Sequence, residues 1–507
     1  MATVSDPILS CADAADFERR LFGEDEEAAW AAMRRAGLGV AAAVLCDIEE
    51  IGGLPGRARV LVLAGKGHNC GDALIAAGSI LEGFPGAAAD VVFAFGERAL
   101  RPLAKRAWRE FADAFGDRVR VVPREQAGGE ASAGPTAYDL SLDGVFGYQF
   151  RPPVDPQAGA VLGWANRIPV RLRAAVDLPS GPGDPSGFLA DFTYATGIVK
   201  APLLACGNAG RLRYVDLGFF AKAVPELGAA EERVLKPSVM GPLCVLRQPR
   251  TDKRDYGHLL VVGGSRGYPG AVLMSVLAAL RSGVGLVTAL VPESLAAAYA
   301  ARAPEAMWVA WPETPGGGLA LEGLSQFRSR LGRATAVVMG PGLGTDPETL
   351  ALAVEIAGLC PVPVVLDADA LQEKVLGAVK APRILTPHAG EFARISRGAD
   401  LRGFCGKTGA TVILKGPVTR IASGSGPVHH SFFGGPVLAR GGSGDLLAGL
   451  AGGLLAQSPS EPMLAACRAA VWHGLSADLL ARARGQTAVS VTQLLDFLPQ
   501  ALRQGAE

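Results

Sequence analysis

Short, nearly continuous apolar runs alternate with helical stretches along this chain, and the alternation stops once and then starts again. In the first series the runs cover 59–64, 90–95, 118–122, 137–142 and 173–177, with 211–216 closing the block. In the second they cover 258–262, 286–290, 335–339, 364–367, 383–385 and 411–414. Strands that are apolar on both faces and separated by helices require a parallel sheet covered on both sides. Two such series predict two α/β units. Between them, 220–250 changes character around Glu231, Pro237, Pro242 and Pro249 and reads as a connecting segment. Ahead of the first series, 10–50 reads as helical, interrupted at Gly23 and at Ala36-Gly37. Late in the second, 419–422 and 428–432 flank Ser423-Gly424-Ser425-Gly426 and predict a hairpin. Helices are expected from near Gly444 and over 464–484.

Composition narrows the function classes. With 507 residues the chain has length for more than one domain. Lys+Arg and Asp+Glu both total 49, so there is neither the basic footprint of a nucleic-acid binder nor an acidic tail. Sixty-six glycines against 6% aromatics suit α/β folds, whose strand-to-helix turns need glycine. The eight cysteines form no CxxC pair, which argues against a zinc site or disulfide scaffold and for a reducing, cytoplasmic compartment. The apolar stretch 271–291 contains Arg281, Gly283 and Gly285 and reads as helix, turn and strand rather than a membrane span. Small-molecule substrates are expected, with no nucleic acid and no membrane, in a homo-oligomer.

The first series carries its chemistry at strand ends. The run ending at Ala64 leads into Gly65-Lys66-Gly67-His68-Asn69-Cys70-Gly71-Asp72 and then a helix. Such a turn exposes backbone N–H groups at a helix N-terminus, a seat for phosphate, though a tight turn capped by Asp72 would look the same. Leu142-Asp143-Gly144-Val145-Phe146-Gly147 and Val176-Asp177-Leu178-Pro179-Ser180-Gly181 end two further strands. Ligands of open α/β sheets bind outside the carboxyl ends of strands, so the three loops should converge. Their Asn, Asp and Ser oxygens suit a hard cation, with one carboxylate free for substrate.

The second series holds the stronger motif, Ala439-Arg440-Gly441-Gly442-Ser443-Gly444-Asp445, opening a helix. Consecutive N–H groups and the helix dipole favour an anion there. An aspartate at that helix start is placed to take a proton from a hydroxyl attacking a phosphoryl group. A plain N-cap would explain Asp445 but not the glycine run. Gly263-Gly264-Ser265, Gly340-Pro341-Gly342-Leu343-Gly344, Asp367-Ala368-Asp369-Ala370, Thr386-Pro387-His388 and Lys415-Gly416 end other strands, which argues for one cleft. His388 alone also fits a structural histidine, and His429 and His430 read as structural or exposed.

On these motifs, residues 10–225 resemble the NAD(P)H-hydrate epimerases. The resemblance implies that Asn69, Asp143 and Ser180 hold K⁺. It implies that His68, Asn69, Cys70, Gly71, Asp72, the loop Gly147, Tyr148, Gln149, Phe150, Arg151, Pro152, and Asp177 contact the hydrated dinucleotide, with Asp72 and Asp177 catalytic. The family loop usually reads Asn-Asn-Gly-Gly-Asp-Gly; glycines at positive φ there would leave Cys70 and Ala73 strained.

Residues 240–505 closely resemble the bacterial ADP-dependent NAD(P)H-hydrate dehydratases, a branch of the ribokinase-like fold. That implies hydrate contacts from Ala271, Gly342, Gly344, His388 and Asp445. It implies adenine-nucleotide contacts from Lys415, Gly416, Pro417, Val418, Thr419, Gly442, Ser443 and Gly444, Ser443 replacing the usual Thr. Asp445 would be the catalytic base, ADP the co-substrate and Mg²⁺ an assisting ion. The expected architecture is an N-terminal Rossmann-like three-layer α/β/α domain (1–225), a linker (226–239) and a C-terminal ribokinase-like α/β domain (240–507). A ribokinase-like small-molecule kinase with an N-terminal dinucleotide-binding module lacking epimerase activity is the alternative.

Overall fold

A computed structural model of the chain describes residues 4–125, 137–221 and 230–504. The chain folds into two compact units, 6–230 with 481–486, and 1–5 with 231–480 and 487–507.

The first unit opens with β1 (Ser5–Leu9), α1 (Cys11–Phe22) and α2 (Glu26–Ile48). The Ser10 hydroxyl caps α1, and Gly23 ends it at φ 55°. Contrary to the expectation of a break, α2 runs straight through Ala36-Gly37. Gly37 instead lets α2 approach the next helix: a Cβ there would stand 2.6 Å from the Ile75 side chain and 2.8 Å from the Asp72 carbonyl oxygen. Tertiary packing outweighs the local propensity of glycine. The strands follow as β2 (Arg59–Ala64), β3 (Ala88–Phe93), β4 (Val119–Val121), β5 (Tyr138–Gly144), β6 (Val170–Val176), β7 (Phe192–Thr196), β8 (Val199–Lys200) and β9 (Arg211–Val215). Between them lie α3 (His68–Gly83), α4 (Pro102–Phe115) and α5 (Pro156–Arg167).

Seven strands form one sheet in the order β4-β3-β2-β5-β6-β7-β9, parallel throughout. β1 and β8 make a short parallel pair. Alternate residues of β2 face opposite layers. Val60, Val62 and Ala64 join Leu74, Ile80, Trp108 and Phe111 in one core, while Leu61 and Leu63 join Ala158, Val161 and Leu162 in another. These are the three layers of a Rossmann-like domain. The chain order reverses between β2 and β5, and the loops leaving those two strands flank the reversal.

The second unit holds β10 (Glu232–Leu235), β11 (His258–Val262), β12 (Leu286–Pro292), β13 (Met307–Trp311), β14 (Ala336–Met339), β15 (Val364–Leu366), β16 (Arg383–Leu385), β17 (Thr411–Leu414), β18 (Thr419–Ser423) and β19 (Val428–Ser431). Its helices are α6 (Pro269–Arg281), α7 (Glu293–Arg302), α8 (Leu324–Leu331), α9 (Pro347–Leu359), α10 (Glu373–Ala378), α11 (Ala389–Ser396), α12 (Leu401–Thr408), α13 (Ser443–Gln457), α14 (Pro462–Arg484) and α15 (Leu494–Gln504). The sheet runs β13-β12-β11-β14-β15-β16-β17-β18-β19-β10. It is parallel through β17, and β18 is antiparallel to both neighbours, forming the expected hairpin with β19. Leu260, Val262, Val337 and Met339 face the core under α8–α10. Leu259 and Val338 face α13, where a Cβ on Gly452 would meet both. This is a ribokinase-like α/β domain, and its chain order reverses between β11 and β14.

Within the span read as a linker, residues 226–229 lie outside the described residues. Glu232–Leu235 forms a strand parallel to β19, and Pro237–Leu243 is a run of 3-10 turn. The stretch 271–291 is helix, turn and strand as expected, and no helix among the described residues is long and apolar enough to cross a membrane.

Candidate active sites

In the first unit the loops after β2, β5 and β6 meet at the strand ends. His68 through Asp72 form the first turn of α3, so Cys70 and Ala73 are helical and fully buried. The strain expected of them there does not arise. Asn69 ties the loops together, its Nδ2 donating to the Phe146 and Val176 carbonyls at 2.9 and 2.7 Å. Asp143 is fully buried and accepts from Ser180 N at 2.7 Å, Ser180 Oγ at 2.6 Å and Val145 N at 3.2 Å. Burial pushes its carboxyl up to about 6, against the lowering effect of these hydrogen bonds. Asn69, Asp143 and Ser180 are thus gathered in one place.

Asp177 stands beside them in a left-handed conformation, φ 65°, that a non-glycine residue rarely adopts. Strain of this kind concentrates at functional positions. The Asp177 carboxylate accepts from Lys200 Nζ at 2.6 Å and Thr196 Oγ1 at 3.3 Å. Both members of the ion pair are buried, 1% and 3% exposed at the side chain. Asp72 is buried as well, and desolvation first, then the charges of Asp177 and Glu18, push it well above the ordinary carboxylate range. Two nearby carboxyls are therefore differentiated, one matched by an ammonium and one favouring its protonated form.

These groups line a cavity of about 310 Å³ that also takes in Glu18, Met33 and Tyr148. The Tyr148 hydroxyl donates to Glu18 at 2.6 Å, and burial raises the Glu18 carboxyl. A neighbouring cavity of about 330 Å³ shares His68, Asn69, Tyr148 and Gln149 with it and extends past Gly147, Phe150 and Arg151. Pro152 is exposed on the same loop. Sequence reasoning missed Lys200 and Glu18. The one signal for Lys200 was a single cation inside the apolar run 198–204.

In the second unit Gly442 caps α13 at φ 96°, and a Cβ there would stand 2.5 Å from Met274 Sδ. Only glycine takes that turn without strain, and it exposes the first N–H groups of α13. Ser443 Oγ donates to the Leu438 carbonyl, holding the turn. A Cβ on Gly444 would lie 3.1 Å from Lys415 Nζ, so the lysine projects onto the glycine turn. Lys415 pairs with buried Asp367 at 3.2 Å, whose Oδ1 also accepts from Thr386 Oγ1 at 2.6 Å. Asp445 lies in the first turn of the helix, and the Ser275 hydroxyl of α6 donates to its carbonyl. Desolvation first, then Asp367, push the Asp445 carboxyl up to about 7, with Lys415 opposing.

Other residues named from the sequence fall around this centre. A Cβ on Gly342 would stand 3.0 Å from the Ala271 Cβ, so the loop after β14 touches α6. Gly344 N donates to Asp369 at 2.9 Å. His388 pairs in register with Lys415, but its ring caps α11, Nδ1 accepting from Gly390 and Glu391 N–H at 3.0 and 3.3 Å. Gly416, Pro417 and Val418 form the turn into β18, and Thr419 opens that strand. His430 is buried against Glu232.

Comparison with known proteins agrees with this division. Residues 30–202 match the family described as YjeF-related protein N-terminus, and 259–500 match NAD(P)H-hydrate dehydratase. The bifunctional NAD(P)H-hydrate repair enzyme of Moorella thermoacetica is 33% identical over 93% of this chain and 92% of its own. That of Gloeobacter violaceus is 38% identical over 89% of each. A solved ADP/ATP-dependent NAD(P)H-hydrate dehydratase from Bacillus subtilis, crystallised with ATP and Mg²⁺, is 27% identical, covers 53% of this chain and 97% of its own, and gives a TM-score of 0.46. With two sites on two units and relatives spanning nearly its full length, the chain belongs to the bifunctional NAD(P)H-hydrate repair enzymes.

Proposed function

We infer that this chain repairs hydrated NADH and NADPH: the first unit interconverts the R and S hydrates, and the second dehydrates the S hydrate at the expense of ADP. The observation that carries the dehydratase reading is Asp445 at the N-terminus of α13, its carboxyl pushed up to about 7 beside the Gly442 turn and Lys415. Hydroxide leaves carbon poorly and phosphate leaves well. Asp445 takes the proton of the ring hydroxyl as its oxygen attacks the terminal phosphorus of ADP, and the bond to the AMP oxygen breaks. The Gly442–Gly444 amides and Lys415 stabilise charge on the transferring group. Elimination of phosphate, with loss of a ring proton, then restores the reduced nicotinamide. Mg²⁺ arriving with the nucleotide would neutralise phosphate charge when bound.

In the first unit the hydrated carbon bears a hydroxyl beside the ring nitrogen. Asp72, kept protonated, donates to that departing hydroxyl, and the ring nitrogen stabilises the resulting cation. Asp177 accepts a proton from water adding to the opposite face, which inverts the centre. The set Asn69, Asp143 and Ser180 fits K⁺: it offers hard oxygens, and Asp143 is buried with no charged partner among the described residues. Bound K⁺ would supply that missing positive charge and hold the three loops together. The boundaries 1–225, 226–239 and 240–507, and a cytoplasmic setting, belong to this same reading.

Product stoichiometry tests it. Each turnover of S hydrate with ADP should give one reduced nicotinamide, one phosphate and one AMP, with the dihydropyridine absorbance returning in step. A stable phosphorylated alcohol, with no absorbance recovered from hydrate, would establish the kinase alternative instead.

A further inference from the structure

The cavity holding Asp72 and Asp177 has a neighbour that the epimerisation chemistry leaves without a task. The catalytic cavity, at about 310 Å³, has room for the nicotinamide end of a dinucleotide but not for the whole of it. The second cavity, about 330 Å³, opens from the same wall of His68, Asn69, Tyr148 and Gln149. Its other lining residues differ in kind. Lys66, Arg101 and Arg151 bring three basic side chains, and the one acid, Asp155, caps α5 by accepting from Gln157 and Ala158 N–H. Lys66 Nζ lies 3.9 Å from the centre of the Phe95 ring, and Phe95, Phe146 and Phe150 pack into one aromatic cluster.

Lys66 and Arg101 are also held together. Arg101 N donates to the Lys66 carbonyl at 2.9 Å, so the segment opening α4 is fastened to the loop opening α3. A wall of cations over aromatic rings, continuous with a nicotinamide-sized cavity, fits a nucleotide's phosphates and base.

We propose that this cavity is the subsite for the adenylyl half of the hydrated dinucleotide, with Lys66 and Arg101 engaging a phosphate group of that half. Neither residue is among the substrate contacts that the resemblance implies. The inference rests on that reading, because it takes the neighbouring cavity to hold the hydrated ring. The phosphate is either the diphosphate bridge, present in both hydrates, or the 2′-phosphate, present only in the NADPH hydrate.

The test is epimer exchange by the full-length chain without ADP, followed by chromatography of the R and S forms of each hydrate. Lys66→Ala and Arg101→Ala should each raise KM by on the order of 10-fold, as expected for losing a charged hydrogen-bond partner. Lys66→Arg should restore much of the loss, and Lys105→Ala, an exposed cation outside the cavity, serves as control. A rise with both hydrates assigns the contact to the diphosphate, and a rise with the NADPH hydrate alone assigns it to the 2′-phosphate. An unchanged KM for both substrates in both variants overturns the subsite. Absence of exchange in the unsubstituted protein would instead overturn the epimerase reading itself.

Discussion

Asp445 must be ionised to accept a proton, and its surroundings set the pH at which that happens. With the carboxyl pushed up to about 7, about one-tenth is ionised at pH 6 and about nine-tenths at pH 8. Dehydration at saturating substrate should therefore rise roughly ten-fold from pH 6 to a plateau above pH 8. ADP titrates in the same region, so the diagnostic is a shift between variants. Asp367→Asn removes the largest charge raising Asp445 and releases Lys415, 3.2 Å from Asp367, to favour the ionised form. Both effects lower the Asp445 pKa, so the acidic limb should move down by roughly one pH unit. Desolvation, the first cause of the shift, is untouched and keeps it above an ordinary aspartate. Asp445→Asn should lower turnover by about 10²–10⁴ and abolish the limb assigned to this base. The assay is recovery of dihydropyridine absorbance from S hydrate at saturating ADP between pH 5 and 9. A limb that stays in place or moves upward in Asp367→Asn refutes the argument.

Three other outcomes are open to measurement. Burial raises Asp143 from 3.8 to about 6, so its contribution to the first unit's stability falls as pH rises through that window. K⁺ opposes this by favouring the carboxylate, so K⁺ in place of a bulky organic cation should raise Tm more at pH 7.5 than at pH 5 and should speed epimer exchange; equal Tm shifts at both pH values count against the site. Lys200→Met strands the buried Asp177 carboxylate and should cost about 3–5 kcal/mol by urea denaturation, while Lys200→Met with Asp177→Leu should cost less than the two single changes together. A fragment from residue 230 keeps β10 against β19, whereas one from 236 bares that edge, so the longer fragment should be the more soluble and active; indistinguishable fragments would show that β10 contributes little.

The strands that the sequence revealed cleanly are short apolar runs that lead straight into a loop. Residues 59–64, 258–262, 383–385 and 411–414 coincide with β2, β11, β16 and β17. Phe192–Thr196 escaped because two threonines and a tyrosine break the run, although all five residues are buried. Met307–Trp311 escaped although it is apolar throughout, and in the fold it is an edge strand that leaves Met307 exposed. Ala36-Gly37 misled because its glycine serves a neighbouring helix, which no local pattern records. The site divides in the same way. Glycine and aspartate loops are local, and their chemistry can be read in a few consecutive residues. The Lys200–Asp177 pair spans 23 residues and the Tyr148–Glu18 pair spans 130, so only the folded sheet brings them together.

Cys70 occupies a place where a thiol would ordinarily be vulnerable. Helix N-termini stabilise thiolates, and Cys70 is in the first turn of α3. Yet it is fully buried, and desolvation followed by the charge of Asp72 pushes it up to about 12. Near neutral pH it stays a protonated, sheltered thiol, whereas it is the thiolate that attacks a peroxide's O–O bond. Slow chemical wear by such oxidants should therefore fall first on an exposed cysteine such as Cys46, leaving the loop between the two cavities intact.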